Sequence, residues 1–327
     1  MRKLVLDFPT QLRQALQIAA AAVLTKHENI NNVVITGLGG SGIGGTIVNE
    51  LTSENCPVPV IVNKDYFLPS FVNQNSLVIV SSYSGNTEET LQAMEMALEK
   101  KAIIVAITSG GKVLELAKQH QLEFIQIPGG NPPRSSIGFC LAQLIKVFIV
   151  NGLARPSLMT DFENSILLLE REQSEIINQS RHIAGLLYNK FPILYSLGSC
   201  EGTVVRFRQQ INENGKILCG HHSFPEMNHN ELVGWTKRDD NIAVVTFRTS
   251  YDYKRTVKRY EFCKPLFEQY ASSVTDIFAK GHSKLEQFFY LIHIGDFISC
   301  DIADLRGIDP VEVNIIDKLK KELANFN

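Results

Sequence analysis

Short apolar runs, each ending in a turn and followed by a helix-like stretch, recur through the first half of this 327-residue chain. The runs fall at 33–36, 58–62, 77–80, 103–108 and 124–127. Helix-like segments at 43–51, 87–100 and 112–120 lie between them, and one at 136–150 closes the half. Apolar runs of this length alternating with amphipathic helices imply a parallel sheet covered on both faces.

The pattern breaks over 151–161, where Gly152, Pro156 and polar residues gather. A long helical stretch, 162–188, follows. The alternation then restarts with a strand at 193–198, a helix at 201–216, a strand at 242–247 and helices at 254–270, 283–305 and 311–323. Two copies of one α/β unit is the simplest reading. It divides the chain at 1–152 and 153–327, with a linker helix at about 160–188.

Composition narrows the function. A 44% hydrophobic and 20% charged chain is ordinary for a soluble globular protein. A net charge of −2 gives no bulk attraction to nucleic acid or to an anionic membrane, so any phosphate must be held locally. The six cysteines are scattered without a CxxC pair, against both a zinc site and a disulfide framework, and reduced thiols fit the cytoplasm. Residues 1–7 carry no apolar signal-peptide core, and the apolar stretch 18–24 is too short to span a bilayer.

Two turns carry the chemistry. Residues 81–90 read Ser-Ser-Tyr-Ser-Gly-Asn-Thr-Glu-Glu-Thr, between a strand and a helix. Hydroxyls and free N–H groups at a helix N-terminus suit a phosphate dianion. A single N-cap would need only one hydroxyl, whereas Ser82, Ser84 and Thr87 are all suitably spaced around Gly85. The other turn is Gly37-Leu38-Gly39-Gly40-Ser41-Gly42. Gly37, Gly39 and Gly42 match GxGxxG, but a dinucleotide site wants an acid at the end of the next strand, where Asp65 is a poor candidate. A plain tight turn is possible. A turn admitting a small ligand close to its backbone, with Ser41 adding a hydroxyl, fits best.

At these residues the chain resembles sugar isomerase (SIS) domains, which hold phosphosugars with such a loop. Residues 129–138, Gly-Gly-Asn-Pro-Pro-Arg-Ser-Ser-Ile-Gly, look like the proline-arginine loop of bifunctional phosphoglucose/phosphomannose isomerases. Asn212-Glu213-Asn214 and residues 226–231 look like that family's two acid/base segments. The resemblance implies two SIS domains, each a five-stranded parallel sheet flanked by helices. It also implies a homodimer and a metal-free, cofactor-free aldose–ketose isomerisation. Ser82, Ser84 and Thr87 would bind the 6-phosphate, with Ser41 and the backbone of Gly39 and Gly40 close by. Arg134 would steady an enediolate, and Glu213 would move the proton between C1 and C2. His229, supplied across the subunit interface, would open the sugar ring. A C-terminal lysine, Lys320 in preference to Lys318, would assist at the ring oxygen. Members acting on both sugars are expected to carry a threonine seven residues before that lysine, where this chain has Val313 or Val311.

The residue types suit the chemistry on their own terms. A carboxylate can lift a proton α to a carbonyl and return it. A planar guanidinium stiffened by Pro132 and Pro133 can meet two oxygens at once. An imidazole among Glu226, Glu231 and asparagines has groups available to fix its tautomer. His221-His222 is a nearby rival, but adjacent histidines diverge and form a poor metal site. A non-catalytic phosphosugar-binding regulator is the alternative. It would carry a helix-turn-helix, which is not apparent, and an isomerase coupled to amide transfer would need a glutaminase domain.

Overall fold

A computed structural model describes residues 1–198 and 200–326. The first half comprises α1 (Arg2–Leu6), α2 (Phe8–Ala21), β1 (Asn32–Thr36), α3 (Gly39–Thr52), β2 (Val60–Asn63), β3 (Ser76–Ser82), α4 (Glu88–Glu99), β4 (Ile103–Thr108), α5 (Gly111–Gln119), β5 (Glu123–Gln126) and α6 (Ile137–Val150). The second comprises α7 (Leu158–Leu187), β6 (Phe191–Ser196), α8 (Glu201–Glu213), β7 (Gly220–Ser223), β8 (Asp239–Arg248), α9 (Lys254–Tyr270), β9 (Ala271–Phe278), α10 (Lys284–Arg306) and α11 (Asn314–Ala324). Both sheets are wholly parallel, ordered β2-β1-β3-β4-β5 and β7-β6-β8-β9. The fold class is the expected one.

The second sheet has four strands among the described residues, not the five implied by the resemblance. Its outer strands also lacked a sequence signal. β7 reads Gly-His-His-Ser, and β9 reads Ala-Ser-Ser-Val-Thr-Asp-Ile-Phe. An edge strand is covered on fewer sides and needs no unbroken apolar run. α3 starts at Gly39, earlier than the apolar residues suggest, because the N–H groups of Ser41 and Gly42 already reach the carbonyl of Leu38.

One core joins the halves. Val33 and Ile35 of β1 belong to the same buried cluster as Leu194, Ala243 and Val245 of the second sheet. α3 lies on α8, and α10 packs on α7 and α8. Residues 285–303 of α10 are all buried, as befits a helix enclosed on every side. The outer faces have separate clusters, Val34, Val78 and Val80 under α4 and α5, and Tyr195 and Val244 under α9.

A carboxylate marks the seam between halves. Glu50 of α3 accepts the N–H of Gly202, in the first turn of α8, at 2.7 Å. The helix N-terminus favours its negative charge, but burial is the larger influence and pushes the carboxyl pKa up to about 8 from an ordinary 4.5. The unfolded chain releases this proton first, so stability is lost as pH rises through the interval between those values. Glu50→Gln keeps an acceptor oxygen for Gly202. Its melting temperature is expected to fall less than the wild type's between about pH 6 and about pH 9; parallel curves would refute the assignment.

Candidate functional site

The serine-threonine turn is built around a glycine that nothing else can replace. Gly85 has φ +69°, and a Cβ there would lie 1.8 Å from the carbonyl oxygen of Gly110. The tight bend it allows brings the hydroxyls together. The Oγ of buried Ser82 accepts the N–H of Gly85 at 3.2 Å and donates to Thr87 Oγ1 at 3.3 Å. Ser84 is exposed, and its Oγ accepts from the Asn86 N–H at 3.3 Å. Thr87 occupies the N-cap of α4 without a side-chain cap bond, so simple capping does not account for its hydroxyl.

The glycine turn lies against this loop. Ser41 Oγ accepts the N–H of Tyr83 at 3.2 Å. Gly39, exposed, and Gly40 form the first turn of α3. A Cβ on Gly40 would sit 3.1 Å from the carbonyl oxygen of Pro133, so the turn touches the proline-arginine loop. Gly40, Ser41, Ser81, Tyr83 and Pro133 line one narrow cleft. Asp65, the weak ribose candidate, is exposed and turns back onto the N–H of Tyr66 at 2.7 Å.

Arg134 sits in a 3₁₀ turn, Pro133–Ser135, with its side chain 5% exposed. Its Nε donates to Asn214 Oδ1 at 2.8 Å, and its Nη1 to Glu213 Oε2 at 3.2 Å. Its Nη2 donates to the carbonyls of Pro310 at 2.5 Å and Val311 at 3.2 Å. A guanidinium has five N–H donors, so one on Nη1 is left for a ligand among the described residues. Glu213 ends α8 with its side chain 31% exposed, and Asn214 caps the helix. A second, fully buried layer supports the first. Arg206 donates to the Arg134 carbonyl at 3.0 Å and to Asp296 at 2.7 Å, and Gln210 donates to the other Asp296 oxygen at 2.8 Å. Asn214 also donates to Ser299 at 2.9 Å.

Sequence reasoning missed Lys216. Its Nζ donates to the carbonyls of Glu213 and, at 2.6 Å, Glu312. Burial foremost, then the Arg134 charge, holds its pKa below the ordinary lysine value. Its place in Glu-Asn-Gly-Lys, just beyond the helix end, was the available clue.

Two expected members stand apart within this chain. His229 is exposed at the end of the 3₁₀ turn Glu226–His229. The carboxylates expected to orient it are engaged elsewhere: Glu226 accepts from Asn230 at 2.9 Å, and Glu231 accepts the Tyr195 hydroxyl. Lys320 and Lys318 are exposed on α11. Among the described residues, no hydrogen bond or ion pair ties His229 or Lys320 to Arg134 or Glu213. His221 is half-buried on β7, where burial and then Arg208 lower its pKa, and His222 Nδ1 accepts its neighbour's N–H at 2.8 Å. Among the described residues, no group of three potential metal ligands is assembled.

Asn214→Leu would leave the buried Arg134 Nε donor without its acceptor. It is expected to cost roughly 3 kcal/mol of unfolding free energy in urea titration; a change under about 0.5 kcal/mol would mean that water readily replaces the amide.

Comparison with known proteins identifies the family and the fold. Residues 176–323 match the family described as bacterial phospho-glucose isomerase C-terminal SIS domain. A bifunctional phosphoglucose/phosphomannose isomerase of Caldicellulosiruptor bescii is 40% identical, over 98% of each chain. One from Thermoplasma volcanium is 38% identical, over 90% of this chain and 92% of its own. In three dimensions, the C-terminal domain of glucosamine-fructose-6-phosphate aminotransferase from Francisella tularensis superposes with a TM-score of 0.79. That match covers 96% of this chain and 97% of the other, and at 12% identity it speaks to fold alone. The chain belongs to the bifunctional phosphoglucose/phosphomannose isomerase family.

Proposed function

We propose that this protein interconverts glucose 6-phosphate, and mannose 6-phosphate, with fructose 6-phosphate through an enediolate. The observation that carries this reading is the buried Arg134 guanidinium, 3.2 Å from the Glu213 carboxylate, on a loop that touches the glycine turn. The names of the relatives support the choice of sugars.

In the proposed reaction the 6-phosphate rests on the hydroxyls of Ser82, Ser84 and Thr87, at the positive end of α4. Ser41 and the Gly39–Gly40 backbone line its approach. Glu213 takes the C2 proton of the open-chain aldose. The C–H electron pair becomes the C1–C2 double bond, and the carbonyl pair moves to O1. Arg134 stabilises that oxyanion with its remaining Nη1 donor. The proton returns to C1, the O2 proton passes to O1, and the ketose results without any external oxidant. Because C2 becomes planar, both aldose epimers lead to one intermediate. The preference between them lies in cavity shape near the 309–313 strap, where Val311 and Val313 offer no hydroxyl.

Ring opening transfers the anomeric hydroxyl proton to the ring oxygen. His229 of the partner subunit carries it in a homodimer, with Lys320 assisting. The exposure of His229 within one chain supports a role across an interface. The free thiols of Cys56, Cys140, Cys219, Cys263 and Cys300 support a reducing compartment such as the cytoplasm.

Glu213→Gln should lower kcat by about 10²–10⁴-fold, while calorimetric binding of fructose 6-phosphate is retained. Binding lost in proportion to turnover would count against the proton-transfer role. Mixed dimers of Glu213→Gln and His229→Ala chains should recover part of the activity. The absence of any recovery would mean each site is complete within one subunit.

A further inference from the structure

We propose that Lys216 is a positioning residue: its ammonium pins the 309–313 strap to the end of α8, and the pinned strap aims the Arg134 guanidinium. The inference rests on the role proposed above for Arg134 and adds what holds that side chain still.

The strap cannot hold itself. Residues 309–313 run between α10 and α11 outside regular structure, and none of them is buried. Among the described residues, their hydrogen bonds to the body of the protein come from two side chains. Arg134 Nη2 reaches the carbonyls of Pro310 and Val311, and Lys216 Nζ reaches that of Glu312 at 2.6 Å. The strap's other bonds are local. The Val311 N–H donates to Asp309 Oδ1 at 2.8 Å, the Asn314 N–H donates to Glu312 Oε1, and the Val313 carbonyl opens α11. Two carbonyls cannot aim an arginine if that arginine is their only anchor. The independent anchor is Lys216.

Lys216 also closes a ring around the guanidinium. Its Nζ donates to the Glu213 carbonyl at the end of α8. The carboxylate of the same residue accepts from Arg134 Nη1 at 3.2 Å, while the strap accepts from Nη2. One ammonium thus joins the two segments that meet the two terminal nitrogens of Arg134.

A lysine is an unfavourable choice at this position for any other purpose. Lys216 has φ +53°, and its neighbour Gly215 does not share that conformation. The left-handed region favours glycine or asparagine and strains a longer side chain. Burial first, and then the Arg134 charge, work against an ammonium there. Glycine or asparagine would carry the chain past α8 with less strain, but neither bears a cationic donor on a long, flexible stem.

Two variants of the full-length protein test this. Lys216→Met and Lys216→Gly both remove the ammonium, but only glycine relaxes the backbone. Both should lower kcat with fructose 6-phosphate by about ten- to a hundredfold. KM should stay within about threefold, because the hydroxyl loop is untouched. Lys216→Gly should nevertheless melt above Lys216→Met. A merely structural lysine would make turnover follow melting temperature, so a glycine variant with the wild-type kcat overturns the proposal.

The second readout is phenylglyoxal modification of Arg134, located by peptide mass spectrometry. The reagent attacks the uncharged guanidine, so losing a neighbouring cation would by itself slow it. A loosened strap should instead speed it by about tenfold or more in both variants. Unchanged or slower modification overturns the proposal. If both variants expose Arg134 but the wild type has no isomerase activity, the pinning stands and the catalytic reading fails. If the wild type isomerises and both variants keep its kcat and its protection of Arg134, the pinning fails and the catalytic reading stands.

Discussion

Burying a guanidinium is the demand around which this molecule is arranged. Removing such a charge from water costs several kcal/mol unless its donors find acceptors. The acceptors for Arg134 come from far along the chain: Asn214 and Glu213 at the end of α8, and two carbonyls just before α11. Most are neutral amide oxygens. They satisfy geometry without cancelling charge, which leaves Glu213 as the one anion among the acceptors of a guanidinium only 5% exposed. That is the condition under which a fixed cation stabilises a developing oxyanion most effectively. The Arg206–Asp296 pair beneath it holds the Arg134 backbone, linking the position of the cation to α10, the most enclosed helix of the fold.

The proposed phosphate side follows a different principle. Ser82, Ser84 and Thr87 are neutral hydroxyls, and α4 opens with Glu88 and Glu89. In the proposed reaction, recognition there would rely on hydroxyl and backbone donors, not on net charge, in keeping with a chain of overall charge −2. Neutral donors would then hold the dianion through the proposed turnover without competing with Arg134 for the reacting oxygens.

Much of this was legible in sequence wherever a local constraint coincided with a global one. β1, β3 and β4 are covered on both faces, so their apolar runs announce them. The two turns were legible because a close backbone approach restricts residue choice locally, as at Gly85 and Gly40. β7 and β9 escaped notice because edge strands tolerate polar residues. Lys216, Arg206 and Asp296 escaped because their roles arise from contacts between distant segments; Arg206 and Asp296 are 90 residues apart. His229 and Lys320, singled out by resemblance, lie outside the single-chain cluster, and Glu226 and Glu231 serve other partners.

The strap over Arg134 has a consequence for how the molecule comes into being. Its carbonyls lie 176 and 177 residues beyond the arginine they hold. Closing so long a loop is entropically slow, and a ribosome must have passed Val311 before the guanidinium can be fully seated. A nascent chain can thus form the strands of its first sheet and the serine-threonine turn while Arg134 still lacks two of its acceptors. In the proposed reaction, the capacity to hold a ligand would thus arise in the growing chain ahead of the capacity to turn it over.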